Sequence, residues 1–340
     1  MSEFIEIWKE IRADNAAETG GNNFSTASGF IAVLDDLGLI AATGADAASF
    51  LHSQLTNDVE HLDTAGSRLA GYCSPKGRLL ASMHLWKSGD AIMLQLARDI
   101  QAGVQKRLQM FVLRAKVALS EVTEHHVTFG LSGQAATEVL AKWFPTLPDA
   151  IYGKVESSSG VLIRVSDARG SPRYQWIAPP TVAAEAAPAA ADILRPADSS
   201  AWRLTEIQAG IPRITLATQE KFVPQMINFE AIGGVNFKKG CYPGQEIVAR
   251  SQYLGKLKRR MMPASVDHPQ AQPGMEVFSE AEPGQPCGML VNAEKNDGQG
   301  ADCLVELKIA AMEAGTVHLG SIEGPPLRFQ ALPYPLPDAD

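Results

Sequence analysis

Apolar residues recur at helical spacing in some segments of the chain and alternate with polar residues in others. Helical spacing predicts an N-terminal helix over residues 1–20, a second helix after Asp46 and a third over residues 99–111. Alternation on both sides of Pro75-Lys76-Gly77 predicts a strand–turn–strand unit over residues 69–85. The first helix is followed by a loop rich in glycine and asparagine, so we expect a loosely docked extension.

Residues 116–195 combine strand and helix signals in an order typical of a split βαβ sandwich. Their alanine-rich run 181–191 is open to two interpretations, a linker or a helix, and we favour the helix because alanine and glutamate are strong helix formers. Pro188 should kink or end that helix. After Pro263 the pattern changes to short apolar runs separated by glycine and proline, which predicts a small antiparallel barrel.

Composition restricts the class of protein. The 340 residues are 45% hydrophobic and 20% charged, which is typical of a globular chain of more than one domain. The net charge of -8 disfavours a surface built for nucleic acid. We expect no secretory signal, no membrane contact and a cytoplasmic location. The cysteines form no C-x-x-C pair and the histidines no paired spacing, so neither a disulfide framework nor a metal site is predicted.

The most unusual local chemistry surrounds Cys241, where Lys238 and Lys239 precede the thiol in a glycine-rich turn. Apolar periodicity predicts a helix that begins near Pro243. The positive end of this helix and the two ammonium groups would favour the thiolate. The residues alone leave a second interpretation open, in which Cys241 is a small apolar residue in a buried turn. A packing role is favoured for the other cysteines, Cys73, Cys287 and Cys303.

A family resemblance covers the chain from about residue 30 to the C-terminus. The run Lys239-Gly240-Cys241-Tyr242-Pro243-Gly244-Gln245-Glu246 closely resembles the K-G-C-Y-x-G-Q-E signature of the YgfZ family. Shorter similar stretches lie at residues 44–46, 54–59, 75–78, 209–212, 222–225 and 332–335.

The resemblance implies an α+β fold like that of the glycine-cleavage T-protein. We expect a bilobed folate-binding domain with a ferredoxin-like (split βαβ) lobe, followed by a C-terminal antiparallel β-barrel. The boundaries that we predict are an N-terminal extension at 1–24, the folate-binding domain at 25–257 and the barrel at 258–335.

The resemblance also implies a function. It indicates a monomeric accessory protein that binds tetrahydrofolate, with or without a polyglutamate tail, and supports the assembly or repair of iron–sulfur proteins. Client proteins would include a radical-SAM tRNA methylthiotransferase, so the link to tRNA thiolation would be indirect and direct nucleic-acid binding is not expected.

Site residues follow from the same resemblance. Cys241 matches the functional cysteine of the family, and Lys239, Gln245 and Glu246 accompany it. For the folate we expect contacts from Trp202, Leu37 and Arg250. Trp202 matches one of the two tryptophans that the family presents to folate, whereas Leu37 stands at the other position. Gln208 replaces a glutamate that the family usually has near the site.

A basic window begins at Lys238, one residue before the signature run. Between Lys238 and Arg260, seven basic residues stand against one acid, Glu246. Such a run is usually a solvated surface, but it would also suit a folate polyglutamate tail or an RNA backbone, and we favour a ligand. An RNA-associated regulator therefore remains one alternative function.

The other alternative is a true aminomethyltransferase. The catalytic aspartate of T-proteins lies on the second strand of the hairpin, where this chain has Ala81 and Ser82. Neither side chain is a carboxylate, so we do not expect aminomethyl transfer.

Overall fold

The computed structural model describes residues 2–19, 29–253 and 257–337, which form three β-sheets and a set of helices. The helices are α1 Ser2–Thr19, α2 Ala47–Gln54, α3 Arg98–Met110, α4 Ala135–Ala141, α5 Pro180–Ala191, α6 Ser199–Gln208, α7 Gln245–Tyr253 and α8 Ile309–Ala314. Two short 3-10 helices are Thr123–His125 and Pro224–Ile227.

The first sheet holds the predicted βαβ lobe. Its strands are β1 Phe30–Val33, β7 Val127–Ser132, β8 Lys154–Ser157, β9 Gly160–Ala168, β10 Ser171–Ala178 and β11 Arg195–Ala197, in the order β11-β1-β7-β10-β9-β8. Strand β1 pairs in parallel with β11 and antiparallel with β7. The first sheet therefore includes β1, which lies far from its other strands in the sequence. The alanine-rich run is helical, as favoured, and Pro188 lies inside α5.

Helix α1 is an integral part of this lobe, so the prediction of a loose extension is wrong. Phe4 and Trp8 are 4% and 3% exposed. Their rings contact Phe129 at centroid distances of 5.7 and 6.1 Å. The two side chains lie four residues apart on one face, and that face packs with α4 and α5 on the sheet.

The second sheet contains the predicted hairpin. Its strands are β2 Leu37–Thr43, β3 Ser67–Cys73, β4 Leu79–Ser88, β5 Ala91–Ala97 and β6 Ala118–Glu121, in the order β3-β4-β5-β2-β6, all antiparallel. The turn 75–77 joins β3 to β4 as expected. Apolar residues of α2 and α3 pack in one core cluster with residues of this sheet.

The third sheet is the C-terminal barrel. Its strands are β12 Arg259–Val266, β13 Glu276–Ser279, β14 Gly288–Lys295, β15 Ala301–Lys308, β16 Val317–Leu319 and β17 Leu327–Phe329, in the order β16-β13-β14-β15-β12-β17. A bridge between His318 and Pro326 brings the two edges together. Strand β12 was missed because Pro263 and two arginines obscure it. Strand β17 pairs only with residues 264–266, so Pro263, which lacks an N–H, lies outside that pairing.

Helix α6 lies where the three sheets meet. The first two sheets share a core cluster that includes Phe30 of β1, Leu39 of β2 and Trp202 of α6. The same helix contacts strands β14 and β15 of the barrel. Asp198 caps its first turn by accepting a hydrogen bond from Ser200 N at 3.0 Å. Side chains of α6 can therefore contact all three sheets at once.

We expect Trp8→Ala to lower the free energy of unfolding by about 3 kcal/mol or more, because it removes a large buried ring. The control Ile7→Ala changes a side chain that is 36% exposed on the same helix, and it should cost about 0.5 kcal/mol or less. Urea unfolding of the full chain measures both. Equal effects would mean that α1 is not docked as described.

Candidate functional site

An inner cavity lies between the first two sheets and α6, with a volume of about 70 Å³. Leu37 at the start of β2 and Trp202 on α6 both line it, so the two predicted contact residues do come together. Ser82 also lines it and accepts a hydrogen bond from Ile214 N at 3.0 Å. Its neighbour Ala81 points instead into the core.

Trp202 is fully buried and already has protein partners. Its Nε1 donates a hydrogen bond to Glu206 Oε1 at 3.0 Å. The guanidinium of Arg173 lies over its ring, 4.1 Å from the centroid. Gly130 packs so closely on the ring that a Cβ there would lie 2.4 Å from Trp202 Cε3. The indole ring of Trp202 is therefore held between Arg173 and Gly130.

Several buried polar atoms around the inner cavity have no hydrogen-bond partner in the described part of the chain. They are Nε and Nη2 of Arg173, Nε2 of Gln95 and Oε1 of Gln175. Burial lowers the pKa of Arg173 to about 10, against the opposing attraction of Glu206. Because buried polar groups are normally paired, this set of donors and an acceptor has unused capacity to hydrogen-bond a polar ligand.

An outer cavity of about 630 Å³ adjoins the inner one and shares the wall residues Glu206 and Arg213. Arg213 donates to Glu206 Oε2 and to Asp36 Oδ2, each at 2.6 Å. Arg203 pairs with the same Asp36 at 3.1 Å and with Glu294 of β14 at 2.6 Å. Burial alone would raise the pKa of Asp36, but Arg213 and Arg203 outweigh it and hold that pKa below its usual value.

A third cavity of about 280 Å³ lies beyond Leu69 and Tyr152, which also line the inner cavity. Asn57, Asp58 and Arg68 form part of its wall. The inner cavity is therefore bordered on one side by the charged outer cavity and on the other by the third cavity, whose wall includes Asp58.

Cys241 is exposed, and both it and Asp58 act electrostatically on Lys239. Helix α7 begins at Gln245, close to Pro243 as predicted, and the turn at Pro243-Gly244 separates the thiol from the helix. Gln245 Nε2 is 3.5 Å from Gly240 O, and Glu246 is exposed.

Lys239 does not stand free beside the thiol. Its Nζ donates hydrogen bonds to His52 O and to Leu55 O, the latter at 2.9 Å. Burial lowers the pKa of Lys239 to about 8, while Asp58 and Cys241 act in the opposite direction. Lys238, in contrast to Lys239, is exposed.

The hairpin turn of the second sheet supports this loop. Gly244 has φ of +78° and Gly77 has φ of +70°, the left-handed region that favours glycine. A Cβ on Gly244 would lie 2.4 Å from Ser74 O and 2.6 Å from Gly77 N. Backbone therefore packs directly on backbone, which explains two glycines of the family resemblance.

Two arginines of the basic window are paired with carboxylates. Arg259 pairs with Glu306, with 2.9 Å between Nη2 and Oε2, and the buried Arg260 pairs with Glu230. Lys256 lies outside the described residues. No described residue of the window lines the three cavities, and Arg250 is exposed on α7. A folate contact by Arg250 would therefore need a part of the ligand outside these cavities.

Sequence reasoning missed Arg173, Glu206 and Arg213 as cavity residues. Glu206 follows Trp202 by four positions on α6, and this spacing could have placed both on one face. Gln208 points elsewhere and donates to Asp302 Oδ2 of the barrel at 3.2 Å. Although Gln208 replaces the usual glutamate, Glu206 still supplies a carboxylate to the cavity.

The described residues include neither a metal-binding cluster nor a membrane-spanning helix. No group of three or more His, Cys, Asp or Glu side chains there is placed to hold a metal ion. No described helix is both long and apolar enough to cross a bilayer.

The fold is that of the aminomethyltransferases. The structure of the glycine cleavage system aminomethyltransferase T from Bartonella henselae matches with a TM-score of 0.65 and 18% identity, covering 90% of this chain and 86% of that one. The chain is thus a T-protein-like α+β protein with a C-terminal barrel.

Sequence relatives identify the family, although no protein-family model matches the chain. It is 34% identical over 229 residues to the tRNA-modifying protein YgfZ of Photorhabdus laumondii and 36% identical over 230 residues to that of Edwardsiella ictaluri. Each match covers 67% of this chain and 68% of the relative. The chain belongs to the YgfZ family.

The inner cavity contains a titratable group that should make folding pH-dependent. Burial lowers the pKa of His84 to about 4. Below about pH 6.5, the ordinary pKa of histidine, the unfolded chain binds a proton at His84 that the folded chain does not bind. The free energy of unfolding therefore falls between about pH 6.5 and 4. His84→Gln should reduce the loss between pH 7 and 4.5 by about 2 to 3 kcal/mol. Denaturant unfolding at both pH values tests this, with His125→Gln, at an exposed position, as the control. An unchanged pH dependence would contradict the assignment.

Proposed function

We propose that this protein binds tetrahydrofolate in the inner and outer cavities and supports tRNA modification through the thiol of Cys241. The folate part is carried by the unpaired polar atoms of Arg173, Gln95 and Gln175. A pterin presents a carbonyl, N–H groups and an amino group around a flat ring system. It can pair such atoms while Leu37 and Phe229 cover its apolar surface.

Cavity sizes support a division of the ligand. The inner cavity of about 70 Å³ is too small for a whole folate, whereas the outer one of about 630 Å³ lies within the usual range of about 300–1,000 Å³ for ligand sites. We assign the polar edge of the pterin to the inner cavity, and the rest of the ligand, with its p-aminobenzoyl-glutamate part, to the outer one past Arg213. A polyglutamate tail would continue outward from there.

The thiol is the second half of the proposal. Relatives named as tRNA-modifying proteins support a role in tRNA modification, and the family signature supports Cys241 as the residue that acts. We propose that the route is indirect, through iron–sulfur client proteins such as a radical-SAM tRNA methylthiotransferase. An exposed thiol, unlike a buried one, can react with another protein.

Aminomethyl transfer is the weaker candidate. Glu206 supplies the carboxylate of the inner cavity, and Trp202 and Arg213 engage both of its oxygens. Ser82, on the hairpin strand, offers a hydroxyl that already accepts a hydrogen bond. A direct RNA role is weakened by the ion pairs of Arg259 and Arg260. Methylene-tetrahydrofolate formation and the salt dependence of tRNA affinity measure these alternatives.

We expect Arg173→Met to weaken tetrahydrofolate binding by about tenfold or more, because a hydrogen bond to a charged donor contributes about 1.5–3 kcal/mol. Isothermal titration calorimetry of the full chain measures it. The matched control is Arg114→Met, an exposed arginine away from the cavities, which should leave affinity unchanged. Unaltered binding by a folded Arg173 variant would contradict the placement of the ligand.

We expect Cys241 to be alkylated first among the four cysteines. Burial raises the pKa of Cys73 and of Cys303 to about 12 and also raises that of Cys287. Peptide mapping after limited iodoacetamide treatment measures the order. Cys241→Ala should cost about 0.5 kcal/mol or less, because its side chain is exposed, yet fail to restore tRNA thiolation in a deletion strain. Full restoration by this variant would refute the thiol mechanism.

A further inference from the structure

The wall of the outer cavity carries more acidic than basic side chains. The described residues that line it include five carboxylates and three guanidinium groups. Two of the arginines, Arg203 and Arg213, are held by the carboxylates of Asp36, Glu206 and Glu294. This network has three carboxylates for two guanidinium groups. It therefore has no positive charge to spare for an anionic ligand.

Three further charged residues line the outer cavity, Arg98, Asp35 and Asp99. Arg98 pairs with Glu124 at 2.6 Å, and the two side chains are 42% and 51% exposed. Because an exposed ion pair of this kind contributes little, Arg98 can exchange Glu124 for a carboxylate of a ligand. Arg98 is also the first residue of α3, and the positive end of a helix favours an anion.

Asp35 and Asp99 act in the opposite sense, because both place an exposed carboxylate on this wall. Asp99 directly follows Arg98, and its Oδ2 accepts a hydrogen bond from Leu216 N at 2.9 Å. Asp35 is tied to Arg98 through its backbone carbonyl, which accepts a hydrogen bond from Arg98 Nη1 at 3.4 Å. The available guanidinium is therefore flanked by two acidic residues.

We propose that the outer cavity makes this protein selective for folates that carry a single glutamate. Arg98 binds a carboxylate of that glutamate. Each further glutamate adds one carboxylate, which is repelled by Asp35 and Asp99 as the tail leaves the cavity. The described residues of the basic window do not line this cavity, so the window does not supply the missing cation there. The inference rests on the proposed function, in which the glutamate part of tetrahydrofolate lies in the outer cavity.

Isothermal titration calorimetry of the full chain with monoglutamyl and triglutamyl tetrahydrofolate, in an anaerobic reducing buffer, tests the proposal. At low ionic strength we expect the triglutamyl form to bind about three- to tenfold more weakly, because its additional carboxylates are repelled. In about 1 M salt, where the Debye length is about 3 Å, the two affinities should converge. Equal or tighter binding of the triglutamyl form at low ionic strength would overturn the proposal.

Substitutions in the wall identify the residues responsible. Asp35→Asn combined with Asp99→Asn should bring the two affinities to within about twofold of each other, mainly by tightening the triglutamyl complex. Arg98→Gln should weaken both complexes alike, by about three- to tenfold, because both ligands carry the first glutamate. Asp90→Asn is the matched control and should keep the wild-type ratio, because Asp90 is exposed and lines none of the three cavities.

The single variants Asp35→Asn and Asp99→Asn replace the double one if circular dichroism shows that it does not fold, and each should reduce the difference by a smaller amount. A ratio that does not respond to either aspartate would overturn the selectivity while leaving folate binding in place. If neither form of tetrahydrofolate binds to the wild type, the proposed function fails as well. The two failures are therefore distinguishable.

Discussion

The arrangement of the three sheets depends on the ion pairs and hydrogen bonds of one buried residue, Arg213. It pairs with Asp36 in the connection between β1 and β2 and with Glu206 on α6. The backbone of the same residue exchanges two hydrogen bonds, each 2.9 Å long, with the side chain of Asn292 in β14. One residue thus joins both lobes to the barrel. Such a network need not be more stabilising than apolar packing, but the loss of one partner leaves uncompensated buried charge and typically costs about 3–5 kcal/mol.

The network also determines the character of the cavities. Because Glu206 is fully engaged by Trp202 and Arg213, the acidic group of the inner cavity is fixed before any ligand arrives. The unpaired donors remain on Arg173 and Gln95. The inner cavity consequently has more unpaired donors than unpaired acceptors, which is the complement of an acceptor-rich ligand edge. The network of Arg213 thus balances the charges in the wall of the outer cavity. It also leaves the polar atoms of Arg173 and Gln95 unpaired in the wall of the inner cavity.

Apolar periodicity and turn residues predicted the helices and strands whose formation depends mainly on neighbouring residues. The hairpin around Gly77, the helix α3 and most barrel strands were found where periodicity and turn residues indicated. Resemblance brought Leu37 and Trp202 to one site. The buried charges escaped because their partners are distant in sequence: nothing near Arg260 indicates Glu230, and nothing near Arg173 indicates Trp202. The ion pairs of Arg259 and Arg260 within the basic window escaped for the same reason. Strand β12 and the docking of α1 likewise depend on packing against remote strands.

The surroundings of Cys241 come from three separate parts of the chain. The loop itself supplies the thiol, the turn around Ser74 and Gly77 supplies the surface on which Gly244 rests, and the end of α2 supplies the acceptors for Lys239. The signature run is therefore not a transferable module. A synthetic peptide with that sequence, or the same run grafted onto another scaffold, would carry the cysteine without the geometry that distinguishes it from any other surface thiol.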